Sequence, residues 1–126
     1  MPKFVHIDIA ADDPERAAAF YKNAFGWTID KLEGPVPYWL VGTAPDDPSA
    51  VGAGIAKREQ DWQRATPTID VPSADEYAAR IEAAGGTITQ PKTFIPGVGN
   101  LVGFRDTEGN DFAILEPSGD NPFSVD

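Results

Sequence analysis

His6-Ile7-Asp8-Ile9-Ala10-Ala11-Asp12-Asp13-Pro14-Glu15-Arg16-Ala17 opens a stretch that closes on Phe25-Gly26-Trp27. About sixty residues later Thr68-Ile69-Asp70-Val71-Pro72-Ser73-Ala74-Asp75-Glu76 opens another that closes on Gly85-Gly86. Each copy reads as a short strand, an acidic helix start, a helix and a glycine stop. Self-similarity at this period means a fold built from two copies of one unit. It also supplies an internal control, because any chemical residue in one copy can be compared with its counterpart in the other.

From Phe4 to Ala10 the chain alternates, with Val5, Ile7 and Ile9 on one face and His6 and Asp8 on the other. That period of two describes a strand lying on an apolar layer. Asp12 or Asp13 fits an N-cap, with Pro14 in the first turn and Glu15 near the positive helix end. Ala17, Phe20, Tyr21, Ala24 and Phe25 recur at helical spacing and are expected to cover the sheet, and Gly26 ends the helix. Trp27 to Leu32 and Tyr38 to Gly42 read as strands around a Gly-Pro turn. Val51 to Lys57 reads as a glycine-rich strand. In the second copy Thr66 to Val71 is a strand, and Ser73 or Asp75 starts a helix that buries Tyr77, Ile81 and Ala84. Thr87 to Gln90, Asn100 to Arg105 and Asp111 to Glu116 follow as strands. The segment Pro96-Gly97-Val98-Gly99-Asn100 fits either a lid or a plain turn.

The pattern is βαβββ-βαβββ, an α+β fold with helices on one side of curved antiparallel sheets. The expected organisation is a first module at 1–58, a linker at 59–65, a second module at 66–118 and a polar C-terminal arm at 119–126. Trp62 in the linker is expected to pack against something.

At 126 residues the chain should bury roughly two thirds of its unfolded surface, enough for a core without staples. Cysteine is absent, which excludes disulfides, zinc–thiolate sites and thiol nucleophiles. The net charge of -10, from 20 acidic and 10 basic residues, argues against nucleic acid as a partner. The same acidity serves solubility, and a salt-adapted host is an alternative reading of it. No signal-peptide pattern and no membrane-spanning apolar run occurs, so no membrane partner is expected and the expected location is cytoplasmic.

Asp13-Pro14-Glu15-Arg16-Ala17, Phe20-Tyr21, Phe25-Gly26-Trp27 and the run Phe104-Arg105-Asp106-Thr107-Glu108-Gly109-Asn110-Asp111-Phe112 resemble the vicinal oxygen chelate superfamily. That superfamily includes glyoxalase I, extradiol dioxygenases, methylmalonyl-CoA epimerase and fosfomycin- and bleomycin-resistance proteins. The resemblance implies two half-open sheets forming a cup around a pocket. In metal-using relatives four positions supply ligands, one on the first and one on the last strand of each module. Here they correspond to His6, to the stretch Gly52-Ala53-Gly54-Ile55-Ala56, to Thr66 or Thr68, and to Ala113. Glu116 lies three residues beyond Ala113, on the opposite strand face. One good ligand of four does not make a divalent site, so no metal and no other cofactor is expected, and glyoxalase I chemistry is disfavoured. A divalent metal is the alternative.

The remaining chemistry gathers at His6 and Asp8. His6 reads either as a hydrogen-bonded histidine in a polar pocket or as a ligand-contacting or acid–base group. Asp8 and Asp70 occupy matching places and can anchor a cation, exchange protons or simply be hydrated. Of Tyr38, Trp39, Phe94 and Phe104, Trp39 and Phe104 are the choices for a pocket lining. Lys92 and Arg105 are candidates to meet an acidic ligand, or to be solvated. The candidate pocket is therefore His6, Asp8, Trp39, Thr68 and Phe104. The leading expectation is a homodimeric small-molecule-binding protein. The rivals are a metal-dependent lyase, isomerase or dioxygenase using His6, and a subunit that acts through its surfaces.

Overall fold

The computed structural model describes residues 2–44 and 46–118. The expected C-terminal arm at 119–126 lies outside the described residues. Ten elements follow the predicted order: β1 (Lys3–Ala11), α1 (Pro14–Phe25), β2 (Thr28–Leu32), β3 (Tyr38–Gly42), β4 (Gly52–Lys57), β5 (Ala65–Asp70), α2 (Ala74–Ala83), β6 (Thr87–Ile95), β7 (Gly99–Arg105) and β8 (Asp111–Pro117). The chain divides into two units, residues 6–66 and residues 2–5 with 67–118.

In the first unit the strands run β2-β3-β4-β1. β2–β3 and β3–β4 are antiparallel, while β1–β4 is parallel. In the second they run β5-β8-β7-β6, with β5–β8 parallel and β8–β7–β6 antiparallel. The α+β class and the doubled βαβββ unit thus stand, and the sheets are mixed rather than wholly antiparallel. The parallel pair follows from the connectivity. In each unit the last strand returns beside the first, running in the same direction.

Local chemistry sets the helix ends. The Asp13 carboxylate accepts from the Arg16 N–H at 3.1 Å, Pro14 occupies the first helical position, and Gly26 closes α1 at φ 70. Ser73 does the same for α2, accepting from Glu76 N–H at 3.2 Å. Ala17, Ala18 and Tyr21 pack toward Ile29, Trp39, Val41, Ala53 and Ile55. Phe20 and Phe25, expected to cover the sheet, are 58% and 61% exposed. At about 100° per residue they fall off the sheet-facing stripe. They join Tyr21 and Trp27 in a surface aromatic cluster instead. Under α2, Tyr77 and Ile81 meet Val71, Val102, Phe104 and Ile114, while Ala84 sits exposed at the helix end.

Two segments differ from expectation. β6 continues through Pro91 to Ile95, with irregular register on both sides of Gln90. It is the outer strand of its sheet, where a missing N–H costs little. Residues 96–98 form a tight turn closed by Val98 N–H to the Ile95 carbonyl at 2.9 Å, which favours the plain-turn reading over a lid. Ile55 is fully buried at the centre of the first core. Ile55→Ala should lower the unfolding free energy by about 2–5 kcal/mol, read from the midpoint of chemical denaturation.

Candidate functional site

The parallel β1–β4 register sets His6 opposite Gly52 and Asp8 opposite Gly54, and Leu40 of β3 pairs with Gly54 from the other side. Partners in register share a face. One face of this sheet therefore carries His6, Asp8, Gly52, Gly54, Ala56, Tyr38 and Leu40. The opposite face, with Trp39, Val41, Ala53 and Ile55, belongs to the core under α1.

On the polar face three side chains close a triangle. The Tyr38 hydroxyl donates to Asp8 Oδ1 at 2.6 Å. His6 Nε2 lies 2.7 Å from the Tyr38 oxygen and 3.1 Å from Asp8 Oδ1. With the hydroxyl proton directed at Asp8, Nε2 carries the hydrogen that meets the hydroxyl oxygen. The His6 side chain is 3% exposed and that of Asp8 is 45% exposed, so Asp8 is the part of the group that a ligand reaches. His6 positions it.

Glycine makes the triangle possible. A Cβ placed on Gly54 would stand 1.6 Å from the Tyr38 hydroxyl oxygen, whereas one on Gly52 would meet His6 Nδ1 at an ordinary contact distance of 3.7 Å. The phenol lies across bare backbone. Burial, then the Asp8 charge, then the hydrogen bond to Asp8 all hold the Tyr38 phenol above its ordinary value of 10.0, so it remains a neutral donor.

Beside Asp8 a cleft of about 190 Å³ is lined by Ala10, Ala56, Lys57, Glu59, Gln63 and Arg64, among others. The segment expected as a linker builds one wall of it. Gln63 Oε1 accepts from the N–H groups of Glu59 and Gln60 at 2.8 and 3.1 Å. Ala10 N–H reaches the Arg64 carbonyl at 2.9 Å, and Arg58 N–H reaches the Ala11 carbonyl at 2.8 Å. Trp62, in the same segment, is half exposed.

The candidate residues are thus redistributed. The structure brings His6 and Asp8 together. Trp39 does not line the polar face, because the side chains of β3 alternate and its parity faces α1. Phe104 likewise sits in the core under α2, with Val102 and Ile114. Thr68 is buried in the second unit, opposite Ala113 on β8. Tyr38 is the aromatic on the polar face. The signal was present in Tyr38-Trp39-Leu40-Val41, where the more apolar pair Trp39 and Val41 marks the core side. Gly54, Lys57 and Arg64 were missed, since a glycine offers no functional group and the two cations lay in or beside a segment read as linker. Lys92 pairs with Asp75 and Arg105 with Asp111.

The four ligand positions implied by the resemblance carry an imidazole, a glycine-rich stretch, a threonine and an alanine, a set that does not fit a divalent ion. Among the described residues no three His, Cys, Asp or Glu side chains cluster as a metal site. The Glu116 carboxylate accepts from Ala74 N–H at 2.8 Å, at the start of α2. Among the described residues no helix is long and apolar enough to cross a membrane.

The raised Tyr38 value makes a pH prediction. A phenol that holds its proton more tightly when folded loses its contribution as pH rises above the unfolded value of 10.0. Stability measured by denaturation should therefore fall above that pH, and less steeply in Tyr38→Phe.

Comparison with known proteins gives the same architecture. Residues 3–114 match the model of the Glyoxalase/Bleomycin resistance protein/Dioxygenase superfamily. A glyoxylase-like domain-containing protein of Didymella fabae is 31% identical over 120 residues, covering 90% of this chain and 92% of that protein. The crystal structure of methylmalonyl-CoA epimerase from Mycobacterium tuberculosis superposes with a TM-score of 0.68 at 15% identity, covering 91% of this chain and 87% of the other. A hypothetical protein from Bacillus halodurans C-125 superposes with a TM-score of 0.71 at 12% identity, covering 93% and 95%. At those identities the structural likeness speaks for the fold. The chain belongs to the Glyoxalase/Bleomycin resistance protein/Dioxygenase superfamily.

Proposed function

We propose that this chain is a small-molecule-binding protein of the glyoxalase/bleomycin-resistance type, which anchors its ligand at Asp8 on the polar face of the first module and holds no resident metal. The observation that carries the reading is the bonding of His6 Nε2 to Tyr38 and Asp8 at 2.7 and 3.1 Å. The chain's one histidine is engaged in orienting a carboxylate, and the remaining family ligand positions offer no donor of comparable strength. A carboxylate oriented by the Tyr38 hydroxyl, with His6 behind that hydroxyl, has a fixed direction, which suits it to hold an ammonium or a polarised N–H or O–H of a ligand. A homodimeric state and a cytoplasmic location accompany this reading, resting on the resemblance and the composition.

Elemental mass spectrometry on protein purified without chelator or affinity tag should find far less than one divalent metal per chain. Thermal-shift titration with Ni, Zn, Mn, Fe(II) and Mg should give no upward shift. About one metal per chain, removed by His6→Ala, would overturn the reading in favour of a metal-dependent lyase, isomerase or dioxygenase.

Gly54→Ala tests the triangle without deleting any of its polar groups. The added methyl should turn the Tyr38 ring away and leave the fold intact, because the colliding atoms belong to the end of a side chain. The expected result is a ligand affinity close to that of Tyr38→Phe, with an unchanged far-ultraviolet circular dichroism spectrum. Unchanged affinity in both variants would detach Tyr38 from binding.

A further inference from the structure

The cleft beside Asp8 brings two opposite fixed charges of each sign to one small space, Asp8 and Glu59 against Lys57 and Arg64. The two cations are held by neutral acceptors. The Arg64 Nη1 donates to the carbonyl oxygens of Asp61 and Gln63 at 2.6 and 2.8 Å. The Lys57 ammonium donates to the Asp12 carbonyl. Carbonyl partners fix a cation's position without cancelling its charge. The contrast is Arg58, whose guanidinium meets the Asp12 carboxylate at 2.9 Å and is neutralised by it.

Asp8 is held in the same manner. Its Oδ1 takes the bond from Tyr38, with His6 Nε2 3.1 Å away, and among the described residues its Oδ2 has no hydrogen-bond partner. The bond from Ala10 N–H to the Arg64 carbonyl docks Arg64 two strand steps along β1 from Asp8. That is about 7 Å along the backbone of β1, and both residues line the one cleft. A cleft of about 190 Å³ has the volume of roughly six waters, below the range of drug-sized pockets.

We propose that this cleft binds a small zwitterion of the amino-acid class, its ammonium against Asp8 and its carboxylate against Arg64 and Lys57. The proposal rests on the binding reading above and names its ligand class. A neutral-overall molecule with separated charges answers both signs of lining charge, whereas a simple cation or a simple anion answers only one in a confined space.

The test uses the intact protein with L-alanine and L-serine as probes, and ethylammonium and propionate as the two half-ligands. Isothermal titration calorimetry is paired with amide shift mapping. The amino acids should bind in the millimolar range, move the amides of Ala10 and Arg64, and bind at least about tenfold more tightly than either half. Asp8→Asn and Arg64→Gln should each weaken binding roughly tenfold or more. Arg64 is exposed, so its variant carries the test if Asp8→Asn fails to fold. Half-ligands that bind as tightly as the amino acids overturn the proposal, as does binding unchanged in Arg64→Gln. A parallel screen of aromatic and cationic compounds separates the two readings. Hits that shift the amides around Asp8 while amino acids do not bind sink the zwitterion and spare the binding reading. No hit of any class sinks both.

Discussion

The parallel pairing of β1 with β4 is the constraint on which the site depends. It places two glycines opposite the two polar residues of β1, His6 against Gly52 and Asp8 against Gly54. A sheet face without Cβ atoms is shallow there, and the phenol of Tyr38 from the neighbouring strand fills the depth. A one-residue slip in this register would turn Ala53 and Ile55 toward His6 and send the glycines into the core, so packing and site geometry are fixed together. The fully buried Ile55 holds the register from the helix side.

Much of this was legible in the residues, because it is local. Asp13, Ser73 and Gly26 cap helices through groups within four residues of themselves, and such contacts need no knowledge of the rest of the chain. The doubled strand–helix pattern carried the architecture. The site was half legible. His6 and Asp8 share a strand, so alternation alone puts them side by side. Tyr38 lies more than two dozen residues away, and only the β3–β4 register brings it in. Trp39 rather than Tyr38 was expected at the pocket, whereas burial sends the more apolar side chain of the pair to the core. Phe20 and Phe25 failed for a related reason. A generous helical stripe accepts residues that a narrow contact between one helix and one sheet does not bury. Segment 59–65 looked like a linker because its composition is polar, yet its order comes from backbone groups and from the side chain of Gln63, which hydropathy does not register.

Family and chemistry separate in this protein. The βαβββ pair is preserved over nearly the whole chain, while the residues at the ligand positions are those of sheet and core. The carboxylate nearest the last position, Glu116, caps the start of α2 by accepting from Ala74 N–H. Its charge sits at the positive end of the helix, where it contributes to stability rather than to coordination. The imidazole on the first strand meets Tyr38 and Asp8. The direction of the Asp8 carboxylate is set by the sheet that carries all three side chains.

Tyr38 and Gly54 also bear on how such a protein can change over generations. The phenol occupies the volume that any larger residue at 54 would claim, and a bare glycine without the phenol would leave a hollow beside Asp8. A change at one position shifts what the other can hold, since a larger residue at 54 displaces the ring and a smaller one at 38 leaves a gap. The two positions are therefore coupled, while the cleft wall at 57–64 can vary without disturbing the floor on which Asp8 stands.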